Sequence, residues 1–203
     1  MKRGRFITLE GVDGAGKSTH VAWIAEQLRA RGHVVHVTRE PGGTPLAEKL
    51  RALILSEPMD ALTETLLLFA ARDDHVRAVI EPALTAGTWV LCDRFTDATF
   101  AYQGGGKGVP AALIAHQAQV SHNGLMPDLT LVFDCPYEVS RERLGRTGRA
   151  PDRFEREDHA FFDRVRQSYL GLARADAERI RIVDATGAVE DIKKVIQQEL
   201  ATI

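Results

Sequence analysis

Short apolar runs alternate along the chain with longer stretches in which apolar residues recur every three or four positions. Runs of five or six residues are typical of buried strands, and the longer spacing is typical of helices that bury one face. The runs predict strands at Phe6 to Glu10, Val34 to Thr38, Trp89 to Asp93, Leu129 to Asp134 and Ile180 to Asp184. The helical spacing predicts helices at Lys17 to Arg31, Leu46 to Leu55, Thr63 to Ile80, Pro110 to Ser121, Tyr137 to Leu144, Ala160 to Ala175 and Val189 to Leu200.

This alternation predicts an α/β fold with a mostly parallel sheet covered by helices on both faces, which makes three layers. A chain of 203 residues is long enough for one such domain, and no repeat or low-complexity linker divides residues 1–203. Two polar, glycine-rich interruptions, Gln103 to Gly108 and Gly145 to Asp152, are predicted to be mobile loops.

A phosphate-binding loop is the clearest chemical signal. The run Gly11-Val12-Asp13-Gly14-Ala15-Gly16-Lys17-Ser18 fits G-x-x-x-x-G-K-[ST] and lies between a predicted strand and a predicted helix. Glycines allow successive backbone N–H groups to point at phosphate oxygens, the lysine reaches the β/γ-phosphates, and the serine hydroxyl can bind Mg²⁺. The loop therefore predicts a protein that binds a nucleoside triphosphate.

Composition narrows the class of partner. Lys and Arg total 26 against 28 Asp and Glu, so no global basic surface indicates binding to nucleic acid or membranes. The two cysteines, Cys92 and Cys135, are too few for a disulfide framework or a zinc site and are predicted to be buried. Without a signal-peptide pattern or a membrane-spanning run, the expectation is a cytoplasmic enzyme.

Charged residues follow the predicted strands, where ligands of open parallel sheets collect. Arg39 follows the second strand, and Asp93 with Arg94 ends the third. Each arginine alone is most simply a surface residue, but together, beside the phosphate loop, they predict a site for a second phosphate group. Phosphoryl transfer is therefore favoured over hydrolysis. Ser18 and Asp93 are the predicted ligands of Mg²⁺.

Several motifs beyond the phosphate loop are specific. They are Leu9-Glu10-Gly11, Arg39-Glu40-Pro41-Gly42-Gly43-Thr44, Asp93-Arg94-Phe95, Ala101-Tyr102-Gln103-Gly104, Pro127-Asp128-Leu129-Thr130-Leu131, Asp152-Arg153-Phe154-Glu155 and Asp184-Ala185-Thr186. Together they resemble bacterial thymidylate kinases, a family of P-loop nucleoside monophosphate kinases. The resemblance implies a P-loop NTPase fold with a five-stranded parallel sheet, the reaction of ATP and dTMP to ADP and dTDP with Mg²⁺, and a homodimer.

The resemblance also implies roles for individual residues. Residues Gly11, Val12, Asp13, Gly14, Ala15, Gly16, Lys17, Ser18 and Thr19 would bind ATP. Arg39 and Arg94 would bind the acceptor phosphate, and Asp13 would meet the deoxyribose 3′-hydroxyl. The positions implied at the base and sugar are Phe69 for stacking, Arg72 for a thymine carbonyl, Tyr102 at the 2′ face, and Thr99 and Gln103 near the base. Without the resemblance, Phe69 would be read as core and Tyr102 as helix packing.

A short arginine-rich lid is implied at about residues 145–156. Some relatives carry an arginine in the phosphate loop where this chain has Gly14, so Arg149 and Arg153 of the lid would supply that charge during transfer. Lys17 and Arg94 complete the implied catalytic set. Thr186 and Gly187 match a loop near adenine, and Phe100 replaces a polar amide that some relatives place near the base.

Two other classes of function remain open at this stage. A kinase for a deoxynucleoside or for another nucleoside monophosphate would share the phosphate loop and the lid. A nucleotide-dependent switch or binding module would share the loop alone, but the chain has no Asn-Lys-x-Asp guanine motif. Arg39 and Arg94 favour an acceptor that already carries a phosphate.

Overall fold

The computed structural model of the chain describes residues 2–146, 148 and 150–203. Within them lies a five-stranded parallel sheet in the order β2-β3-β1-β4-β5. The strands are β1 (Phe6–Glu10), β2 (Val35–Arg39), β3 (Trp89–Asp93), β4 (Leu129–Asp134) and β5 (Ile180–Asp184). The predicted α/β architecture is confirmed. Strand β2 begins and ends one residue later than predicted, which places Arg39 at its carboxyl end.

Helices cover both faces of the sheet. They are α1 (Lys17–Ala30), α2 (Pro45–Ser56), α3 (Ala61–His75), α4 (Glu81–Thr85), α5 (Thr96–Thr99), α6 (Ala111–His122), α7 (Tyr137–Gly145), α8 (His159–Ala175) and α9 (Val189–Leu200). In the described part of the chain, none of them is long and apolar enough to cross a membrane.

Side-chain caps explain where three of the helices begin. Thr44, Asp60 and Asp158 accept hydrogen bonds from backbone N–H groups in the first turns of α2, α3 and α8, at 3.0, 2.8 and 2.8 Å. Such a bond satisfies a donor that the helix leaves unpaired. The helix predicted for Thr63 to Ile80 is wrong as one unit, because α3 is followed by a π-helical turn, Val76–Ile80, and then by α4. Pro82 has no N–H to donate to the preceding turn.

Two apolar clusters of the core lie on opposite faces of the sheet. Ile7 and Leu9 of β1 belong to the larger cluster, whereas Phe6 packs with residues of β3 and α4 on the other side. Side chains alternate between the two faces of a strand. All five residues of β1 are buried, as expected for a central parallel strand.

A second π-helical segment, Phe100–Gly106, stands where the mobile loop Gln103 to Gly108 was predicted. That prediction is wrong for this segment, called below the Tyr102 segment, because Gln103 and Gly106 are buried. A Cβ added at Gly106 would lie 2.5 Å from the Phe161 ring, and one at Gly105 would lie 2.6 Å from Ser168 Cβ. The glycines let α8 pack closely against the segment, so they indicate close packing rather than mobility.

Candidate active site

Three loops meet at the carboxyl edge of the sheet. Leu9 pairs with Asp93 across β1 and β3, and Arg39 pairs with Asp93 across β2 and β3. Backbone hydrogen bonds continue past the strand ends, from Arg94 N–H to the Leu9 carbonyl and from Glu40 N–H to the Asp93 carbonyl, both at 2.9 Å. The phosphate loop, the Arg39–Glu40 turn and Arg94 are therefore fixed beside one another.

The phosphate loop has the backbone that its glycines predict. Gly11, Gly14 and Gly16 have φ angles of +128°, +77° and +97°, which favour glycine. A Cβ at Gly11 would lie 2.4 Å from the Phe133 carbonyl oxygen, and one at Gly14 would lie 2.5 Å from the Ser140 carbonyl oxygen. Gly16 caps α1 without a side-chain hydrogen bond, so the first turn of α1 faces the cleft above the loop.

Lys17 is buried at the floor of this cleft, called below the phosphate-loop cleft and lined by residues 13–20 among others. Its Nζ donates to the carbonyls of Gly11 and Val12, both at 3.1 Å. Burial and the nearby Arg94 lower its pKa, and the carboxylates of Asp93, Asp13 and Glu10 oppose the shift. The ammonium is held at the loop by interactions that a phosphate can replace.

Ser18 and Asp93 line the same cleft. Asp93 Oδ1 is buried and has no hydrogen-bond partner among the residues that the structure describes. An unpartnered buried carboxylate oxygen is costly unless a cation or donor satisfies it. The donor set of a hydroxyl, a carboxylate and nucleotide phosphates suits Mg²⁺, so these residues fit the predicted ion.

A second cleft adjoins the first and extends toward α3 and the Tyr102 segment. Arg94 lies on the boundary and lines both clefts. Its Nη2 donates to Asp13 Oδ1 at 2.8 Å and to the Tyr102 hydroxyl at 3.1 Å, and its Nη1 donates to the Tyr169 hydroxyl at 3.1 Å. The Tyr102 hydroxyl donates in turn to Asp13 Oδ2 at 2.9 Å. These bonds fix the guanidinium between the two clefts.

Charge around Arg94 favours its ionised form. Burial lowers the pKa of Arg94, but Tyr102, Asp13 and Tyr169 outweigh it and raise that pKa well above its ordinary value. For Asp13, burial raises the pKa, and the stronger effect of Arg94 and Lys17 leaves it lowered. Arg94 is therefore a permanent cation beside an ionised carboxylate.

Glu10, at the end of β1, holds the neighbours of Arg94 in place. Its carboxylate accepts hydrogen bonds from Phe95 N–H and from the Tyr169 hydroxyl, both at 2.7 Å. Burial, with the nearby Asp97, raises the pKa of Glu10 to about 7. Sequence reasoning missed Glu10, although an acidic residue in an otherwise apolar strand was a usable signal.

Arg72 lies buried at the wall of the second cleft. Its Nε donates to Glu40 Oε2 at 2.6 Å, its Nη1 to Thr99 Oγ1 and its Nη2 to the Phe95 carbonyl, each at 3.1 Å. Two of the five guanidinium N–H groups remain for a ligand. Burial raises the pKa of Glu40, but Arg72 and His75 outweigh burial and lower that pKa below its ordinary value, so the carboxylate stays ionised.

The predicted base contact Phe69 is not brought to the second cleft. Phe69 packs in an apolar cluster with Val109, Ile114 and Ala118, whereas Leu68 lines the cleft. Both residues lie about one turn before Arg72, but the Phe69 ring packs into the apolar cluster, where it lies 4.9 Å from the Arg72 guanidinium carbon. Three other predicted contacts, Thr99, Tyr102 and Gln103, do line the cleft, and half-buried Phe100 packs against the Phe69 cluster instead.

Arg39 lines the phosphate-loop cleft, where it pairs with Glu48 at 3.1 Å and remains more than half exposed. Sequence reasoning missed Arg51 of α2, which lines both clefts and donates to the Pro41 carbonyl at 3.0 Å. Burial and the nearby Arg39 lower the pKa of Arg51. Helix α2 thus adds a third cation to the edge where Arg39 and Arg94 were expected.

Of the two predicted lid arginines, only one lies within the described residues. Arg149 lies outside the described residues. Arg153 donates to the Ile54 carbonyl at 2.8 Å and pairs with Glu64, and it does not line the phosphate-loop cleft. Arg143, which sequence reasoning missed, does line that cleft and donates to the Ala185 and Ala15 carbonyls at 2.7 and 3.2 Å.

Of the two residues predicted near adenine, Thr186 and Gly187, only one lines the phosphate-loop cleft. Gly187 lines the phosphate-loop cleft beside Val189 and Ile192. The Thr186 hydroxyl instead donates back to Asp184 at 2.6 Å. That end of the cleft is therefore built mainly from backbone and apolar side chains.

Comparison with known proteins identifies the family. A sequence profile described as thymidylate kinase matches residues 9–196. The chain belongs to the thymidylate kinase family. A thymidylate kinase from Bordetella petrii is 57% identical over 201 residues, which cover 99% of this chain and 97% of that one. One from Cupriavidus metallidurans is 54% identical over 201 residues, covering 99% and 100%.

The thymidylate kinase fold is equally clear in a solved structure. The crystal structure of the Ehrlichia chaffeensis enzyme is similar with a TM-score of 0.81 at 30% identity, and the match covers 98% of this chain and 99% of that one. Family membership confirms the resemblance and the P-loop nucleoside monophosphate kinase fold. It also identifies the chain as an ATP-dependent phosphotransferase.

Proposed function

We propose that this chain transfers the γ-phosphoryl group of ATP to dTMP, forming ADP and dTDP. One observation carries the proposal. The Arg94 guanidinium lies on the boundary between the phosphate-loop cleft and the second cleft, held by Asp13, Tyr102 and Tyr169. A cation at that boundary can bind both the acceptor phosphate and the group in transfer.

The transfer needs positioning more than proton chemistry. A phosphomonoester has a second pKa of about 6, so at neutral pH its attacking oxygen needs little help from a general base. The loop N–H groups and Lys17 would bind the phosphates of ATP, and Arg39, Arg51 and Arg94 would hold the acceptor phosphate in line with them. The cations would stabilise the charge that spreads over the transferred group.

Ser18 and Asp93 are the residues that would hold Mg²⁺. The unpartnered oxygen of Asp93 and the position of Ser18 in the same cleft support this assignment. When bound, the ion neutralises charge on the β- and γ-phosphates. Residues 11–19 as a group would then fix the direction of the triphosphate.

Contacts with the nucleoside would come from the second cleft. Arg72 has donors left for a thymine carbonyl, Thr99 accepts a hydrogen bond from it, and Gln103 lines the same cleft. Leu68, which lines this cleft, would supply the apolar contact with the base in place of Phe69. We further propose, from the family resemblance, that Arg149 supplies the lid charge during transfer, and that the enzyme works in the cytoplasm, which holds ATP and nucleoside monophosphates.

The test is formation of ADP from Mg-ATP with dTMP, dUMP, dCMP, AMP, thymidine or no acceptor. We expect turnover to be fastest with dTMP and slow without acceptor, because the second cleft supplies the attacking group. Preference for thymidine would contradict the acceptor-phosphate roles of Arg39 and Arg94. Turnover independent of acceptor would instead support a nucleotide-driven switch.

Tyr102 provides a prediction about the sugar. Its ring lies under the Arg94 guanidinium, with 4.8 Å from the guanidinium carbon to the ring centroid, and its hydroxyl meets Asp13. We expect Tyr102→Ala to lower the preference for dUMP over UMP by about tenfold, because space opens beside the 2′ position. Tyr102→Phe is the matched control, since it removes the hydroxyl but keeps the ring. An unchanged preference in Tyr102→Ala would place sugar selection elsewhere.

We also propose a homodimer, as the family resemblance implies. Helices α2 and α3 pack together and expose Leu53, Leu62 and Leu66 at 48%, 48% and 45% of their surface. A second copy covering this face would bury them. We expect sedimentation to give a dimer for the wild type and a monomer for Leu66→Glu. Val34→Glu, at an exposed position before β2, should remain dimeric, and a monomeric wild type would contradict the proposal.

A further inference from the structure

Glu64 is a fully buried carboxylate that the roles above do not use. It lies in the first turn of α3 and contacts two other parts of the fold. Its Oε1 accepts a hydrogen bond from Gln103 Nε2 at 2.8 Å. Its Oε2 accepts one from Lys107 Nζ at 2.8 Å and pairs with Arg153 of the lid. The two oxygens thus have separate partners, an amide on one side and two cations on the other.

The carboxylate determines which way the Gln103 amide points. An ionised carboxylate only accepts hydrogen bonds, so the Gln103 group beside it must be the NH₂. The amide oxygen of Gln103 then remains for another donor, and no described residue bonds it. Because Gln103 lines the second cleft, that oxygen is available to a ligand there.

A carbonyl oxygen at this place selects among pyrimidines. Thymine and uracil carry an N–H at position 3 between two carbonyls, whereas cytosine has an acceptor at position 3 and an amino group at position 4. An accepting oxygen on Gln103 and donor groups on Arg72 complement the N–H and a carbonyl of thymine or uracil. They do not complement the acceptor and the amino group of cytosine. This step rests on the proposed function, which places the base in the second cleft.

We propose that Glu64 is a positioning residue that sets base specificity by fixing the Gln103 amide with its oxygen toward the base. Two cations, Lys107 and Arg153, contribute to this positioning. A buried carboxylate is stable only when it is paired, and Lys107 and Arg153 pair it on the side away from Gln103. Both cations also contact the Phe154 ring, whose centroid lies 4.9 Å from Lys107 Nζ and 5.0 Å from the guanidinium carbon of Arg153.

The separate partners make Glu64→Gln a sharp test. A glutamine has one oxygen, and two cations would hold it on the side of Lys107 and Arg153. Its NH₂ would then face Gln103, whose amide must turn and present NH₂ to the base. We expect the ratio of kcat/KM for dTMP to kcat/KM for dCMP to fall at least about tenfold, the effect of one mismatched hydrogen bond in a buried site.

A double-mutant cycle separates this role from a general structural one. In a Gln103→Ala background, Glu64→Gln should leave the dTMP to dCMP ratio unchanged, because the amide that it turns is absent. Glu178→Gln, an exposed glutamate before β5, is the matched control for charge loss. Thermal unfolding of each variant establishes that it is folded, and dissociation constants for dTMP and dCMP are measured by calorimetry.

Two results would overturn the proposal. One is an unchanged ratio in folded Glu64→Gln, and the other is an equal fall in the ratio with and without Gln103. An equal loss for dTMP and dCMP leaves the ratio unchanged and would show that Glu64 only supports the fold. Absence of dTMP turnover in the wild type would contradict the proposed function instead, and the binding constants would still report on Glu64.

Discussion

Arg94→Ala is expected to lower kcat/KM for dTMP by about 10³-fold, which corresponds to about 4 kcal/mol of transition-state stabilisation. The guanidinium lies between the two clefts and carries a permanent charge. Its removal also leaves Asp13 without its partner at 2.8 Å, so an ionised carboxylate would face the incoming phosphate. Loss of attraction and new repulsion act in the same direction. Steady-state kinetics with dTMP as the varied substrate measure the effect.

Two further variants control for charge and folding. Arg94→Lys keeps the charge but loses the planar fork that reaches Asp13, Tyr102 and Tyr169, so we expect a smaller but clear loss. Arg181→Ala removes an arginine of β5 that pairs with Glu199 of α9, and this variant should keep normal turnover. Near-normal kcat/KM in Arg94→Ala would contradict the role at the cleft boundary.

Backbone conformation affects the interpretation of Arg94 variants. Arg94 has a φ of +74°, a left-handed conformation that costs a non-glycine residue roughly 1–2 kcal/mol. Arginine and alanine both carry that cost, so the substitution should not change it. We therefore expect the thermal stability of Arg94→Ala to change far less than its activity.

Lys17→Met should lower kcat by about 10²- to 10³-fold, the usual cost of removing one preorganised donor from a transition state. The Lys17 ammonium is buried and already directed along the phosphate loop by the Gly11 and Val12 carbonyls. Methionine fills a similar volume without charge, so the loop should keep its shape. Single-turnover measurements, with enzyme in excess over dTMP and with saturating Mg-ATP, test the chemical step directly.

Lys194→Met is the matched control, because Lys194 is an exposed lysine on α9 that pairs only with Asp191 among the described residues. It should keep the wild-type kcat. If Lys17→Met kept at least half of the wild-type rate in single turnover, the lysine would not stabilise the transferred group. A rise in KM for ATP with unchanged kcat would restrict Lys17 to binding.

The strands and the phosphate loop were predictable because their signals are local. A central parallel strand is buried on both faces and mostly apolar, and a phosphate loop needs glycine at positions whose φ is positive, as at Gly11, Gly14 and Gly16. The placement of Arg39 and Arg94 also followed from local sequence. Arg39 ends β2 and Arg94 directly follows β3, and all parallel strands end at the same edge of a sheet.

Packing between distant segments decided the rest. The glycines of the Tyr102 segment predicted a mobile loop, yet α8 lies so close that a Cβ at Gly106 would clash with Phe161. The family resemblance predicted Phe69 as a base contact, but its ring is buried in an apolar cluster, and the neighbouring Leu68 lines the cleft instead. Neither position can be judged without knowing which elements pack against it.

The sequence by itself determined the order of strands and helices, the phosphate loop and the family, because periodicity and motif are properties of neighbouring residues. Only the tertiary structure decided the partners of buried charges. Glu64 with Arg153, Glu10 with Tyr169, and Glu40 with Arg72 are 89, 159 and 32 residues apart. Such a charge is stable only where the fold supplies its counterpart, and no local pattern specifies which counterpart that is.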